Sequence, residues 1–351
     1  MVPPTRRDVL RAGGLASLGV AGGLSGCLGL FGGGGGGGVD PNSVAKDVPG
    51  RAGALGHVDF ETLLSADDLR TAANVVLAAG ATRREGAPGD VDTALGELQR
   101  TYNLDPRKLH RATGFVGHSI VATSTESASD SPYWGVRGYS DWTPSATYAS
   151  FRDVAPSRVT ESTHAGTTVL TIGTESLAAF DDGGVVLGSR QAVEDAIDVA
   201  EGRQDGLTGD LRRAFDAASG TYGEFALDLD MATVAARVLG ERAVDAIPVA
   251  SIQHMYGSMF DDGSERGVRV VTKLGSATDA EQLAAQVDSF VGIARAQGVD
   301  GLLGPYENVI SGVETSTDGK VMTATYRAST GAFNEAAGRL VANFLLGIRP
   351  P

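Results

Sequence analysis

The stretch "RVTESTHAGTTVLTIG", residues 158–173, decides the fold class of this chain. It is rich in Val, Thr and Ile and reads as a β-hairpin. A strand, "GGVVLGS" (residues 183–189), and an amphipathic helix, "RQAVEDAIDVAEG" (residues 190–202), follow it. Antiparallel strands joined to a packed helix, with few uninterrupted apolar strands, argue for α+β and against a doubly wound parallel sheet.

Working outward, the alternation continues in both directions. Upstream, "GALGHVDFETL" (residues 53–63) runs from strand into helix, "DVDTALGELQRTYNL" (residues 90–104) repeats apolar residues at helical spacing, and "HSIVATST" (residues 118–125) and "YWGVRGYSDW" (residues 133–142) read as strands. A short helix is expected near "SATYASFRDV" (residues 145–154), and "DLRRAFDAAS" (residues 210–219) is expected as a helix closing a first half. Downstream the order recurs: strand "GEFALDLD", helix "MATVAARVLGERAV", strands "IQHMYGSMF" and "RGVRVVTKLG", helix "DAEQLAAQVDSFVGIARAQ", hairpin "VISGVETSTDGKVMTATYRAS" and a terminal helix.

Short echoes accompany this order. Val58 to Leu63 stands opposite Leu229 to Val234, Gly135-Val136-Arg137 opposite Gly267-Val268-Arg269, and Val159, Ser162 and Thr163 opposite Val313, Ser316 and Thr317. The expectation is two similar halves, residues 51–220 and 221–351, each with antiparallel strands and packed helices. In the terminal helix, Phe333, Ala336, Ala337, Leu340, Val341, Phe344 and Ile348 make one apolar face, which reads as core.

Of the 351 residues 42% are hydrophobic, so a sizeable core is available. The net charge of -14 makes nucleic acid a poor partner. Lysine is confined to Lys46, Lys108, Lys273 and Lys320, while Gly and Ala abound. At molar salt the Debye length falls to about 3 Å, so a dense acidic surface costs little repulsion there and stays hydrated.

Before the folded part, "TRRDVLRAGGLASLGVAGGLSGC" sets Arg6 and Arg7 ahead of an apolar run ending at Cys27, and Gly32 to Gly38 follow without a side chain. The run is shorter than the ~20 residues a spanning helix needs and suits an export signal. Thr5 to Leu10 resembles the twin-arginine translocation signal, with Val9 standing where a Phe is commoner. Leu24-Ser25-Gly26-Cys27 resembles a lipobox. Together with the acidic, lysine-poor composition, these features are similar to those of twin-arginine-exported lipoproteins of salt-loving archaea. The resemblance implies a signal over residues 1–27, a lipid on Cys27 and the export machinery as a partner. It also implies a place on the outer face of the cytoplasmic membrane, at the cell surface, held through that lipid. Residues 28–50 then form a flexible tether, setting the domain on the order of 25 Å from the membrane.

No catalytic constellation stands out. His57, His110, His118, His164 and His254 lack the close helical spacing of a zinc site, and no metal or cofactor is expected. Ser119 follows Gly117-His118 but lacks the second glycine of a nucleophile elbow. Asp181-Asp182-Gly183, Asp261-Asp262-Gly263 and Asp318-Gly319 read as hairpin turns rather than calcium loops. The most unusual stretch, "SPYWGVRGYSDW", groups Tyr133, Trp134, Arg137, Tyr139 and Trp142 as a candidate binding surface. On a strand, Trp134 and Trp142 would share one face, and Tyr133, Arg137 and Tyr139 the other. The reading leans away from an enzyme, toward non-catalytic binding of an extracellular ligand or protein. The alternatives are an exported hydrolase using carboxylates among Asp59, Glu61, Asp228 and Asp230, or a structural part of a surface assembly.

Overall fold

The computed structural model describes residues 45–81, 88–118, 132–154, 156–231, 248–297 and 312–334. Arg6, Arg7, Cys27, the glycine run, Ser119 and the expected terminal helix beyond Asn334 lie outside these, as do most of "HSIVATST" and "MATVAARVLGERAV". Among the described residues the fold is α+β, every strand pairing given below is antiparallel, and no helix is long and apolar enough to cross a membrane.

The chain forms two compact units. The first holds residues 45–61 and 91–208, and the second residues 62–90 and 209–334.

In the first unit, strand β1 (Ala52–Asp59) leads into a short helix, α1 (Phe60–Ser65), whose later residues belong to the second unit. Helix α3 (Val91–Tyr102) precedes β2 (Leu109–Gly117), β3 (Trp134–Ser140), α4 (Pro144–Val154), β4 (Val159–His164), β5 (Thr167–Ile172), β6 (Glu175–Ala179), β7 (Gly184–Ser189) and α5 (Arg190–Ala200). The sheet runs β1-β2-β3-β7-β6-β5-β4. The opening hairpin pairs Val159 with Ile172 through His164 with Thr167, turning at Ala165-Gly166, both with positive φ. Helix α5 buries Ala192, Val193, Ala196 and Ile197, and the last three meet Val169, Ala178 and Val186 of three different strands. Tyr148 of α4 puts its hydroxyl between β5 and β6. It donates to the carbonyls of Thr168 and Ala179 and accepts from the Ala179 amide, where the β5–β6 ladder stops.

The second unit begins with α2 (Asp67–Ala81) and continues through α6 (Gly209–Ala217), β8 (Gly223–Leu227), β9 (Ile252–Asp261), β10 (Glu265–Leu274), α7 (Ala277–Gln297), β11 (Val313–Asp318) and β12 (Val321–Ser329). Its sheet runs β8-β9-β10-β12-β11. Ser276 caps α7: the Asp279 amide donates to its hydroxyl at 3.1 Å, and the hydroxyl donates to the Asp279 carboxylate at 2.7 Å. Ala280 and Ala284 of α7 then pack on Leu274 and Met322. Phe333 stacks 6.0 Å from Tyr326 and is 4% exposed, so the one described member of the terminal apolar face is core.

The three Asp-Gly sites are turns, with Gly183, Gly263 and Gly319 at positive φ between consecutive strands. Strands β2 and β6 and helix α2 were not anticipated from the sequence, which pointed to a strand at residues 118–125 rather than at Leu109–Gly117. β6 is five residues long, and α2 carries a weak amphipathic pattern.

Candidate functional site

The unusual stretch centres on β3, between β2 and β7. Register sets Arg137 opposite Thr113 and Val186, with His57 opposite Thr113 one strand further. Alternation therefore puts Arg137 on the face that α5 covers, through Val186. Tyr139 shares that face and pairs with Arg111.

Arg137 is 3% exposed. Its guanidinium carbon lies 4.0 Å from the Phe180 ring centre and 5.3 Å from that of Tyr139. Arg111 stands over the same Tyr139 ring at 4.5 Å. The Tyr139 hydroxyl donates to Asp47, and burial followed by that bond raises its pKa. Asp182 approaches Nη2 of Arg137 only to 3.9 Å, while Nε and Nη1 have no hydrogen-bond partner. A Cβ at Gly184 would lie 2.7 Å from Nη2 and 2.8 Å from an Asp182 carboxylate oxygen, so one of these side-chain ends would have to shift. Beside this group, Nδ1 of His57 meets the Thr113 hydroxyl at 3.1 Å. Burial, reinforced by the Arg111 charge, lowers the His57 pKa to about 4, so the ring is neutral at pH 7.

Tyr133 precedes β3 and is also buried. It donates to Asp195 of α5 at 3.0 Å, and Arg51 lies 3.8 Å from the same carboxylate oxygen. Burial pushes both the Tyr133 and the Asp195 pKa up. Trp134 is half-buried. Trp142 lies two residues beyond the end of the strand, so strand parity does not place it beside Trp134; its indole donates to the Asp105 carbonyl at 2.9 Å. The structure thus gathers Arg137 and Tyr139 under α5 as an internal cation–aromatic cluster, with Tyr133 bonded to that helix, rather than as an open aromatic face. Phe180, Arg111, His57 and Asp47 belong to the cluster through strand register and chain return, and no local motif announces them.

The second unit shows how a buried arginine is fully partnered in the same protein. Arg266, 5% exposed, donates through Nε to Asp261 at 2.9 Å and through Nη1 to Asn334 at 2.9 Å, with Asp68 at 2.7 Å. Tyr222 also donates to Asp261. Burial pushes the Asp261 pKa up, but these bonds outweigh it and hold the carboxyl below its ordinary value.

The other histidines sit apart from these groups. His110 lies between Asp141 at 3.0 Å and Glu61 at 3.3 Å, and the Asp141 bond is the main cause of its raised pKa. His164 meets Asp198 at 3.0 Å. His254 stacks on Tyr256, with its pKa lowered mainly by burial. No cluster of three or more histidine, cysteine or carboxylate side chains arranged to hold a metal is present among the described residues.

No family model and no curated relative matches the chain. Among solved structures, crystal form III of TP0453 is similar at 10% identity, over 86% of this chain and 99% of that one, with a TM-score of 0.47. Crystal form I of TP0453 is similar at 10% identity, over 86% and 98%, with a TM-score of 0.44.

Proposed function

We propose that this chain is an exported, membrane-anchored lipoprotein whose folded part works by binding a ligand or partner at the cell surface. The observation that carries the reading is the order Arg6-Arg7, apolar run, Leu24-Ser25-Gly26-Cys27, seven glycines. Each part fits a step: export, lipid attachment, and clearance from the lipid surface. One acyl chain anchors only marginally, so the reading calls for a lipid with more than one chain on Cys27. Binding is preferred over turnover because the sequence offers no catalytic motif and the buried Arg137 of β3 faces aromatic rings.

We also infer that the two units repeat one plan. In both, the third strand of the sheet order carries Gly-Val-Arg with its glycine opposite a phenylalanine of the preceding strand, Gly135 with Phe115 and Gly267 with Phe260. The arginines then face Thr113 and Ser258. Val159 and Val313 each open an outermost six-residue strand of a hairpin. The first echo supports the repeat less: strand pairing sets His57 against Glu224, whereas the sequence echo sets it against Asp228. The first unit also has β6 and β7 between β5 and β3, where β12 pairs directly with β10.

Fractionation of a Cys27→Ser variant tests the anchor. The wild-type chain should sediment with membranes and the variant should not. A variant that stays membrane-bound contradicts lipid attachment at Cys27.

A further inference from the structure

We propose that the second unit carries a site for a compact organic carboxylate, in the groove where the end of α6 lies against β9 and β10. The proposal rests on the binding reading above for its purpose but not on the lipid anchor for its chemistry. The groove has a volume of about 130 Å³ and is lined by Ser219, Tyr256, Ser258, Arg269, Ala218 and Val271 among others. It is a little smaller than an engineered cavity of about 150 Å³ that holds benzene, so a ligand of roughly six heavy atoms is the right scale.

Register explains the convergence. Ser258 of β9 pairs with Arg269 of β10, and Tyr256 pairs with Val271, so all four side chains leave the same face of the sheet. Helix α6 packs on β8 and β9, and Gly220 follows it. A Cβ at Gly220 would stand 2.8 Å from that of Ser258, so only glycine lets the chain leave the helix so close to the strand.

Four polar side chains meet here without a partner from the described residues: Arg269 and Ser219 are exposed, Tyr256 is half-buried and Ser258 is buried. Among the described residues, the side chains of Ser219, Tyr256, Ser258 and Arg269 make no hydrogen bond and no ion pair; Arg269 rests only against the Phe260 ring, its guanidinium carbon 5.6 Å from the ring centre. This is unlike Arg152, Arg190, Arg212, Arg213 and Arg266, each bonded to a carboxylate. Ser258 is 5% exposed, and its hydroxyl faces the groove with no partner from the described residues. Two acids stand in the row at equal remove from Arg269: Glu224, across Ser258 and engaged elsewhere, and Glu314, across Thr325; neither forms an ion pair with Arg269.

A guanidinium fork accepts a carboxylate through two parallel bonds, and the phenol and hydroxyls supply further donors. Ala218 and Val271 offer apolar surface to a short aliphatic remainder. A free inorganic oxyanion would leave that surface uncovered, so the carboxylate is favoured.

Isothermal titration of the full chain at fixed ionic strength, with butyrate, inorganic phosphate and 1-butanol as separate probes, tests this. Butyrate should bind saturably, with phosphate about tenfold weaker or worse and butanol not measurable. Arg269→Ala should weaken butyrate about tenfold or more, and Tyr256→Phe roughly threefold. Arg269→Lys keeps the charge and stem but loses the fork, so it should also weaken butyrate severalfold if the alanine variant misfolds. Absence of butyrate binding, phosphate binding as tight as butyrate, or butyrate binding unchanged in both Arg269 variants would overturn the site. None of these outcomes bears on where Cys27 sits, so the anchor stands or falls separately.

Discussion

At Arg137 burial and bonding disagree. A guanidinium that is 3% exposed, with two nitrogens lacking partners, carries a desolvation cost that its two aromatic neighbours offset only in part. Arg137→Met keeps the stem's packing against Phe180 and removes the charge. It should raise stability by about 1 kcal/mol in denaturant unfolding. Arg137→Ala opens a cavity and should lower stability by about 2 kcal/mol. A methionine variant clearly less stable than wild type would mean that the charge has a partner that holds it. His57 gives a second residue-scale test. Its folded pKa, near 4, lies below the 6.5 of the unfolded chain, so the unfolded state takes the proton first as pH falls. The His57 contribution is complete above about pH 6.5 and is lost as pH drops toward about 4, by up to about 3 kcal/mol. His110, whose pKa is raised by Asp141 and Glu61, acts in the opposite sense and favours the fold at lower pH. Stability of His57→Gln, measured across this window, should therefore fall less steeply than that of wild type, and an unchanged slope would contradict the assignment.

Between elements, the close glycine contacts of β3 and β10 set how tightly each sheet packs. A Cβ at Gly135 would find its nearest neighbours in the Phe115 ring, at 2.4 Å, whereas one at Gly267 would meet both the Phe260 ring and the Tyr326 carbonyl oxygen, each at 2.3 Å. A ring can rotate away more readily than a backbone carbonyl. Gly267→Ala should therefore cost about 3 kcal/mol and Gly135→Ala about 1 kcal/mol, read from thermal unfolding of each variant. Equal losses would contradict that ranking. This scale is also where the sequence was most legible. Hairpins with Asp-Gly turns and helices with a strong apolar stripe, such as α5, follow from local pattern, because turn chemistry and periodicity are local. Strand β6 escaped because five residues give too short an alternation. The cluster around Arg137 escaped because His57 and Arg111 reach it only through pairing across β1, β2 and β3, and Asp47 and Phe180 only from the segments before β1 and after β6. The groove at Arg269 escaped for the same reason: Ser219 and Tyr256 meet through packing of α6 on the sheet, and nothing in the spacing marks them.

For the whole molecule, the charge of -14 and the proposed anchor belong to one physical picture. An acidic surface with few lysines stays hydrated when salt screens its self-repulsion, and in the proposed reading a glycine tether would hold that surface off the membrane. The described units supply an α+β body, and the proposed anchor would supply its address. Mass spectrometry of the amino-terminal peptide of the mature protein, taken from native membranes, tests this most directly. The account predicts a peptide that begins at Cys27 and carries more than one lipid chain. An unmodified Cys27 within a longer peptide, recovered from the soluble fraction of the cell, would contradict it.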